Sequence, residues 1–271
     1  MAPVEAIERS PTAGVPIVIR GVTKHYRAAR GGDVHALAEI DLLIKAGEFV
    51  SIVGPSGCGK STLLMLVSGL LPPTSGTIEI NRLQVKGAVP NIAIVFQRDV
   101  LLDWRTVLAN VLLPVEIKKL DPVVHRQKAR ELLRSVGLSE FEDKYPAELS
   151  GGMRQRVAIC RALVQGPGLL LMDEPFGALD ALTREQMNLD LQRMWRRDRN
   201  TVLFNTHSIE EAVLLSDRVV VMSSRPGRIA DVVVNELSRP RGAHTRSEPR
   251  FVEHVERIRE HFLALGVLSE T

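Results

Sequence analysis

The sequence predicts an α/β fold that carries a helical insertion. Short apolar runs suited to buried strands alternate with amphipathic helical segments, the pattern of a sheet covered by helices. One strand–helix junction is the glycine-rich turn "GPSGCGKST" at residues 54–62, a shape that lets backbone approach an anion closely. Between the strand-rich flanks, residues from about 98 to 165 read almost wholly helical.

Residues 1–16, rich in Pro and Ala, read as a flexible tail. "PIVIRGVTKHY" reads as a strand, "RAARGGDVHA" as a polar loop, and "IDLLIK" as a second strand turned by Ala46-Gly47. "EFVSIVG" is a short apolar run ending in glycine, the signature of a buried strand, and "KSTLLMLVSGL" is a helix closing at Gly69. The turn "PPTSG" precedes the strand "TIEI", and "NIAIVFQ" is a further buried strand. Within the helical stretch, "TVLANVLLPVEI" is one helix. "DPVVHRQKARELLRSVG" is a second, with Asp121 as cap, Pro122 in the first turn and Gly137 as the stop. In "ELSGGMRQRVAICRALV", Met153, Val157, Cys160 and Val164 recur at helical spacing, so one face is buried. Strands return with "GLLLMDE", "TVLFNTH", "DRVVVMS" and "GRIADVVVNEL". Between them lie the helices "LTREQMNLDLQRMWRRD", with Met187, Leu191 and Met194 on one face, and "SIEEAVLLS". "RPRGAHTRSEP" reads as a linker to a last helix whose stripe is Phe251, Val255, Ile258 and Phe262.

With 271 residues, 45% of them hydrophobic, the chain can bury a proper core. The net charge of +3 and the lack of a long basic run argue against a nucleic-acid partner. Two cysteines, Cys58 and Cys160, lack metal-ligand spacing and point to a reducing compartment. The first residues carry acids and no apolar core, unlike a secretory signal. No apolar run approaches the roughly 20 residues that cross a bilayer, so a membrane role is expected to be peripheral, through a partner.

The turn at 54–62 fits the phosphate-cradle pattern G-x-x-x-x-G-K-[ST] and stands between a strand and a helix, as that reading demands. Its residues Gly54, Pro55, Ser56, Gly57, Cys58, Gly59, Lys60, Ser61 and Thr62 are the candidate nucleotide-binding set. Lys60 can reach the β and γ phosphates and the Ser61 hydroxyl can ligate Mg²⁺. The apolar run "LLLMDE" ends in Asp173, a candidate Mg²⁺ holder through water, followed by Glu174, placed to orient or deprotonate an attacking water. A second helix start, Ser150-Gly151-Gly152, offers another set of bare N–H groups. One chain with two anion sites needs an explanation.

The order of these motifs resembles the nucleotide-binding subunit of an ABC transporter over about residues 17–238: Tyr26, the phosphate loop, Gln97, "LSGGMRQ", the strand with Glu174, "ALD" and His207. Met153 stands where the family more often has Gln. The resemblance implies a P-loop NTPase (RecA-like) core with an N-terminal antiparallel β subdomain and an inserted α-helical subdomain at about 98–165, with residues 239–271 as a C-terminal linker and helix. It implies ATP and Mg²⁺ as cofactors and ATP hydrolysis as the activity. Two copies would clasp two nucleotides head to tail, with Ser150, Gly151 and Gly152 facing the γ-phosphate bound by the partner. Tyr26 would stack on adenine. Gln97 would contact Mg²⁺ or the attacking water, Asp180 would sit at the dimer seam, and His207 would hydrogen-bond the γ-phosphate. Cys58, inside the loop near Lys60, reads either as a reactive thiol or as a bystander.

By the same resemblance, a single ATPase module without a spanning helix works with separate permease subunits at the cytoplasmic face of the cell membrane, and through them with a periplasmic or extracellular solute-binding protein. Leu101, Leu102 and Trp104 form an apolar patch after Gln97, read either as a permease contact or as packing inside the insertion. "LLDWRTVLANV" and "THSIEEAVLLSDRVVVMSSRPGRI" look most like the nitrate, sulfonate and taurine importer branch. The competing reading is an ABC ATPase with no transport role. The tail after Pro240 is expected to pack on the core rather than to bind an effector.

Overall fold

The computed structural model describes residues 14–27 and 32–267. Most of the expected tail and residues 28–31 of the expected loop therefore lie outside the described residues. The elements run β1 (Ile17–Tyr26), β2 (Val34–Ile44), β3 (Phe49–Val53), α1 (Lys60–Val67), β4 (Ser75–Ile80), β5 (Leu83–Gln84) and β6 (Ile92–Val95). Three helices follow: α2 (Val107–Lys118), α3 (Pro122–Ser135) and α4 (Gly151–Leu163). The chain then returns through β7 (Leu169–Asp173), α5 (Ala181–Asp198), β8 (Thr201–Thr206), α6 (Ile209–Leu215), β9 (Arg218–Met222), β10 (Ile229–Val234) and α7 (Pro249–Ala264).

Two sheets carry this order. The first, β2-β1-β4-β5, is antiparallel. The second, β10-β9-β3-β8-β7-β6, is parallel except for β10, which runs antiparallel to β9. β3 and β8 are buried at every position, which is why they read in sequence as apolar runs without alternation. The P-loop core, antiparallel subdomain and helical insertion are thus all present.

The sequence reading and the fold differ at edges. β2 begins at Val34, inside the expected polar loop, because Val34 and His35 pair with Tyr26 and His25 of β1. β4 begins at Ser75, inside the expected turn, and the two-residue β5 was not anticipated. The helical stretch is less continuous than expected. Residues 98–106 form no helix, and two short 3-10 turns, Ser139–Phe141 and Pro146–Glu148, fill the link between α3 and α4. The Asp121 cap holds as read, accepting N–H bonds from Val123 and Val124; Thr106, not read as a cap, accepts one from Ala109.

The segment after β10 is anchored by one buried cation. Arg241 is 3% exposed, and its guanidinium donates to the carbonyls of Val213, Leu214 and Ser216 at the end of α6, and to those of Asn235 and Leu237. A cation at a helix C-terminus also complements its dipole. Gln192 of α5 clamps the same residue by its backbone, accepting from its N–H at 2.6 Å and donating to its carbonyl at 2.9 Å. The stripe Phe251, Val255, Ile258 and Phe262 of α7 then packs on the core. Replacing Arg241 with Met leaves several buried carbonyls without a donor. The expected loss is about 3 kcal/mol of unfolding free energy, read by chemical denaturation.

Candidate functional site

The parallel register brings three strand ends to one edge. Val53 of β3 lies beside Thr206 of β8, and Asp173 of β7 lies beside Asn205. Ligand sites in such sheets form beyond the carboxyl ends of the strands. Here the chain leaving β3 turns through the 54–59 loop into α1, and a cleft of about 340 Å³ opens above it. Gly59, the N-cap of α1, has φ 104°, and a Cβ there would lie 2.5 Å from Leu37 Cδ2, so only glycine closes this turn. Lys60 is 5% exposed; its Nζ donates to the carbonyls of Gly54 (2.9 Å) and Pro55 (3.2 Å) and lies 3.7 Å from Glu174 Oε1.

The expected acids lie in the same cleft. Ser61 Oγ donates to Asp173 Oδ1 at 3.0 Å, and buried Asn205 donates to the same oxygen at 2.8 Å. Glu174 holds φ 47°, a left-handed conformation uncommon outside glycine. Two backbone bonds keep it there: its N–H to Asn205 O at 3.0 Å, and Gly177 N–H to its carbonyl at 3.1 Å. Its other carboxylate oxygen lies 3.5 Å from His207 Nδ1. Gln97 and His207 converge on Gly177, where a Cβ would meet Gln97 Nε2 at 3.6 Å and His207 Cε1 at 3.7 Å. At the far end of the cleft Tyr26 is partly exposed, with its hydroxyl 3.3 Å from Thr62 Oγ1.

Ser61, Asp173 and Gln97 supply hard oxygen donors, the chemistry that suits Mg²⁺. Among the described residues no cluster of three or more His, Cys, Asp or Glu could hold a metal.

Ser56, Gly57, Gly59, Lys60, Ser61 and Thr62 line the cleft. Gly54, Pro55 and Cys58 sit behind it. Cys58 is buried, and burial pushes its thiol up against the opposing pull of Lys60, so the bystander reading stands. Cys160, fully buried in α4, is pushed up to about 12. Ser150, Gly151, Gly152 and Asp180 do not line the cleft. Ser150 and Gly151 are exposed; Ser150 caps α4 by accepting from Met153 N–H. A Cβ on Gly152 would come within 2.6 Å of Thr183 Cγ2, so the start of α4 lies tight on α5. Asp180, exposed, caps α5 by accepting from Thr183 N–H, and bonds from Thr183 hold its carboxyl below the usual range.

Trp104 is 75% exposed, which excludes the reading that it packs inside the insertion. Buried Asn110 explains its posture: the side-chain amide bonds to Leu102 (both N–H and carbonyl) and to the carbonyls of Arg105 and Thr106, fixing the loop so that Trp104 projects outward. Leu101 is partly buried against the core. Sequence reasoning missed Asn205, although a lone amide in the apolar run "TVLFNTH" was a usable signal. It also missed Arg225, which reaches the cleft from the distant turn between β9 and β10.

Residues 37–177 match the ABC transporter family. The chain belongs to that family. An uncharacterized ABC transporter ATP-binding protein of Methanocaldococcus jannaschii is 42% identical over 254 residues, 94% of each chain. The taurine import ATP-binding protein of Pelagibacter ubique is 44% identical over 213 residues, 79% of this chain and 80% of that one. A solved dimeric ATP-binding cassette in a post-hydrolysis state, bound to ADP and phosphate, is 33% identical with a TM-score of 0.71, covering 82% of this chain and all of that one. This ABC protein is accordingly an ATP-binding ATPase subunit.

Behind His207, this ATPase buries a carboxyl. Thr206 Oγ1 donates to Glu211 Oε2 at 2.5 Å, and burial pushes the Glu211 carboxyl up, against the opposing pulls of Thr206 and Arg184. A raised carboxyl favours the protonated folded chain, so stability falls as pH climbs from the ordinary glutamate range through the raised value. Glu211→Gln carries no such cost. Its stability relative to the parent is expected to rise between about pH 4.5 and about pH 7.5, measured by denaturant unfolding at both. A pH-independent difference would contradict the assignment.

Proposed function

We propose that this chain is the ATP-hydrolysing subunit of an importer and acts as a head-to-tail pair around two ATP molecules. The observation that carries the reading is the separation of its two anion sites. The cleft at Lys60 supplies one set of donors, while the helix start at Ser150 and Gly151 is exposed and lies outside that cleft. A second copy can present it to the triphosphate from the opposite flank, so that two helix N-termini face one polyanion. The dimeric state of the similar cassette supports this pairing. ATP then favours the closed pair by its differential affinity.

In this reading the phosphates replace the Gly54 and Pro55 carbonyls as partners of Lys60, and Tyr26 stacks on adenine. Ser61 and Asp173 would hold Mg²⁺, which supplies charge neutralisation on the phosphates. Glu174, locked in its left-handed backbone, orients the attacking water and takes its proton. His207 Nδ1 holds the other side of that carboxylate until the γ-phosphate arrives. Gln97 reads nucleotide state at Gly177 and passes it to the helical insertion.

No helix among the described residues is long and apolar enough to cross a membrane. In this reading the partner is a separate permease, and the projecting Trp104, with Leu101 and Leu102 at its base, is the contact. The subunit sits peripherally on the cytoplasmic face, and a solute-binding protein outside delivers the cargo. Likeness to the taurine import protein favours a small sulfonate or related anion as that cargo.

Two variants test the pairing. Glu174→Gln is expected to bind ATP, to lose at least about a hundredfold in hydrolysis, and to accumulate as an ATP-dependent dimer on a sizing column. Ser150→Arg should keep ATP binding by the single chain yet stop turnover, by closing the second cradle. Full hydrolysis by either variant would overturn the roles assigned here.

A further inference from the structure

Two cationic side chains, Lys60 and Arg225, line the cleft. The ammonium of Lys60 lies 3.7 Å from the Glu174 carboxylate, and Asp173 lines the same cleft, where a polyphosphate would sit. A second cation enters from the turn between β9 and β10. Gly227 of that turn donates its N–H to Ala36 O at 3.0 Å and accepts from Ala38 N–H at 3.0 Å, so the turn is laced to β2. A Cβ on Gly227 would fall 1.9 Å from Cys58 O, which places the turn's backbone directly on the phosphate loop. Ser223 closes the turn, donating its N–H to Arg228 O and accepting Arg228 N–H on its hydroxyl.

At the tip stands Arg225. Its Nε and one terminal nitrogen both donate to Gly57 O, at 3.2 and 3.1 Å, and the side chain lines the same cleft as Lys60, Ser61 and Glu174. Among the described residues it has no carboxylate within ion-pair distance. A guanidinium has five N–H donors in a rigid fork suited to phosphate, and this one spends only part of them on the loop.

We infer that Arg225 is a further nucleotide-binding residue: it grips the outer carbonyl of the phosphate loop and presents its remaining N–H groups to the polyphosphate. It offsets the two carboxylates and leaves Lys60 free for the terminal phosphates. The inference rests on ATP binding by one chain and does not depend on pairing.

The experiment uses ADP, which is not turned over, with AMP as the probe lacking the second phosphate. Dissociation constants are measured by calorimetry for the parent, Arg225→Ala, Arg225→Lys and Arg225→Gln at low and high salt. Gln can still donate to Gly57 O but carries no charge, so it separates loop shaping from phosphate contact. Expected is a loss of about tenfold for ADP in the Ala and Gln variants, smaller at high salt, with Lys keeping most of the affinity. AMP should lose far less, and KM for ATP should rise by the factor seen with ADP. Unchanged ADP affinity in Arg225→Ala would overturn the inference. So would full recovery by Gln, or an equal loss with AMP.

Discussion

The site depends on one alignment: three parallel strands end level with one another, so backbone geometry alone brings the phosphate loop, two carboxylates and a histidine to a single edge. Val53 beside Thr206 and Asp173 beside Asn205 fix that level. A slip of one residue in either pairing would turn the side chains beyond it to the opposite face. Burial on both faces of β3 and β8 makes such a slip costly, because every position in them is covered. The core strands thus serve the chemistry by being unable to move relative to one another.

Within that frame the polar groups of the site partner one another. Lys60 rests on two loop carbonyls and near Glu174, Ser61 donates to Asp173, and His207 stands beside the second oxygen of Glu174. Each of these partners is one that a phosphate or a metal can replace. In the proposed function these are the groups that ATP and Mg²⁺ would engage. The left-handed backbone at Glu174 belongs to the same economy, since strain of this kind persists where surrounding bonds over-determine it.

Much of this was legible in the sequence because it depends on local spacing. The loop pattern, the apolar run ending in Asp173-Glu174, the cap at Asp121 and the helix start after Ser150 are set by neighbours within a few residues. What was not legible depends on contacts distant in the chain. Arg225 meets Gly57 across 168 positions, and Gly177 matters only because Gln97 and His207 close on it from different strands. Strand β2 gained residues beyond its apolar run because β1 was there to pair with them. Trp104 was ambiguous because exposure is decided by Asn110, whose four bonds to the loop have no sequence signature.

The central claim is that one chain owns only half of the groups that complete hydrolysis. It is tested most directly by the rate of phosphate release per chain as protein concentration is lowered at saturating ATP. The account predicts a per-chain rate that falls toward zero on dilution and levels off once pairs dominate. A per-chain rate that stays constant down to concentrations at which sizing and light scattering find single chains would contradict it.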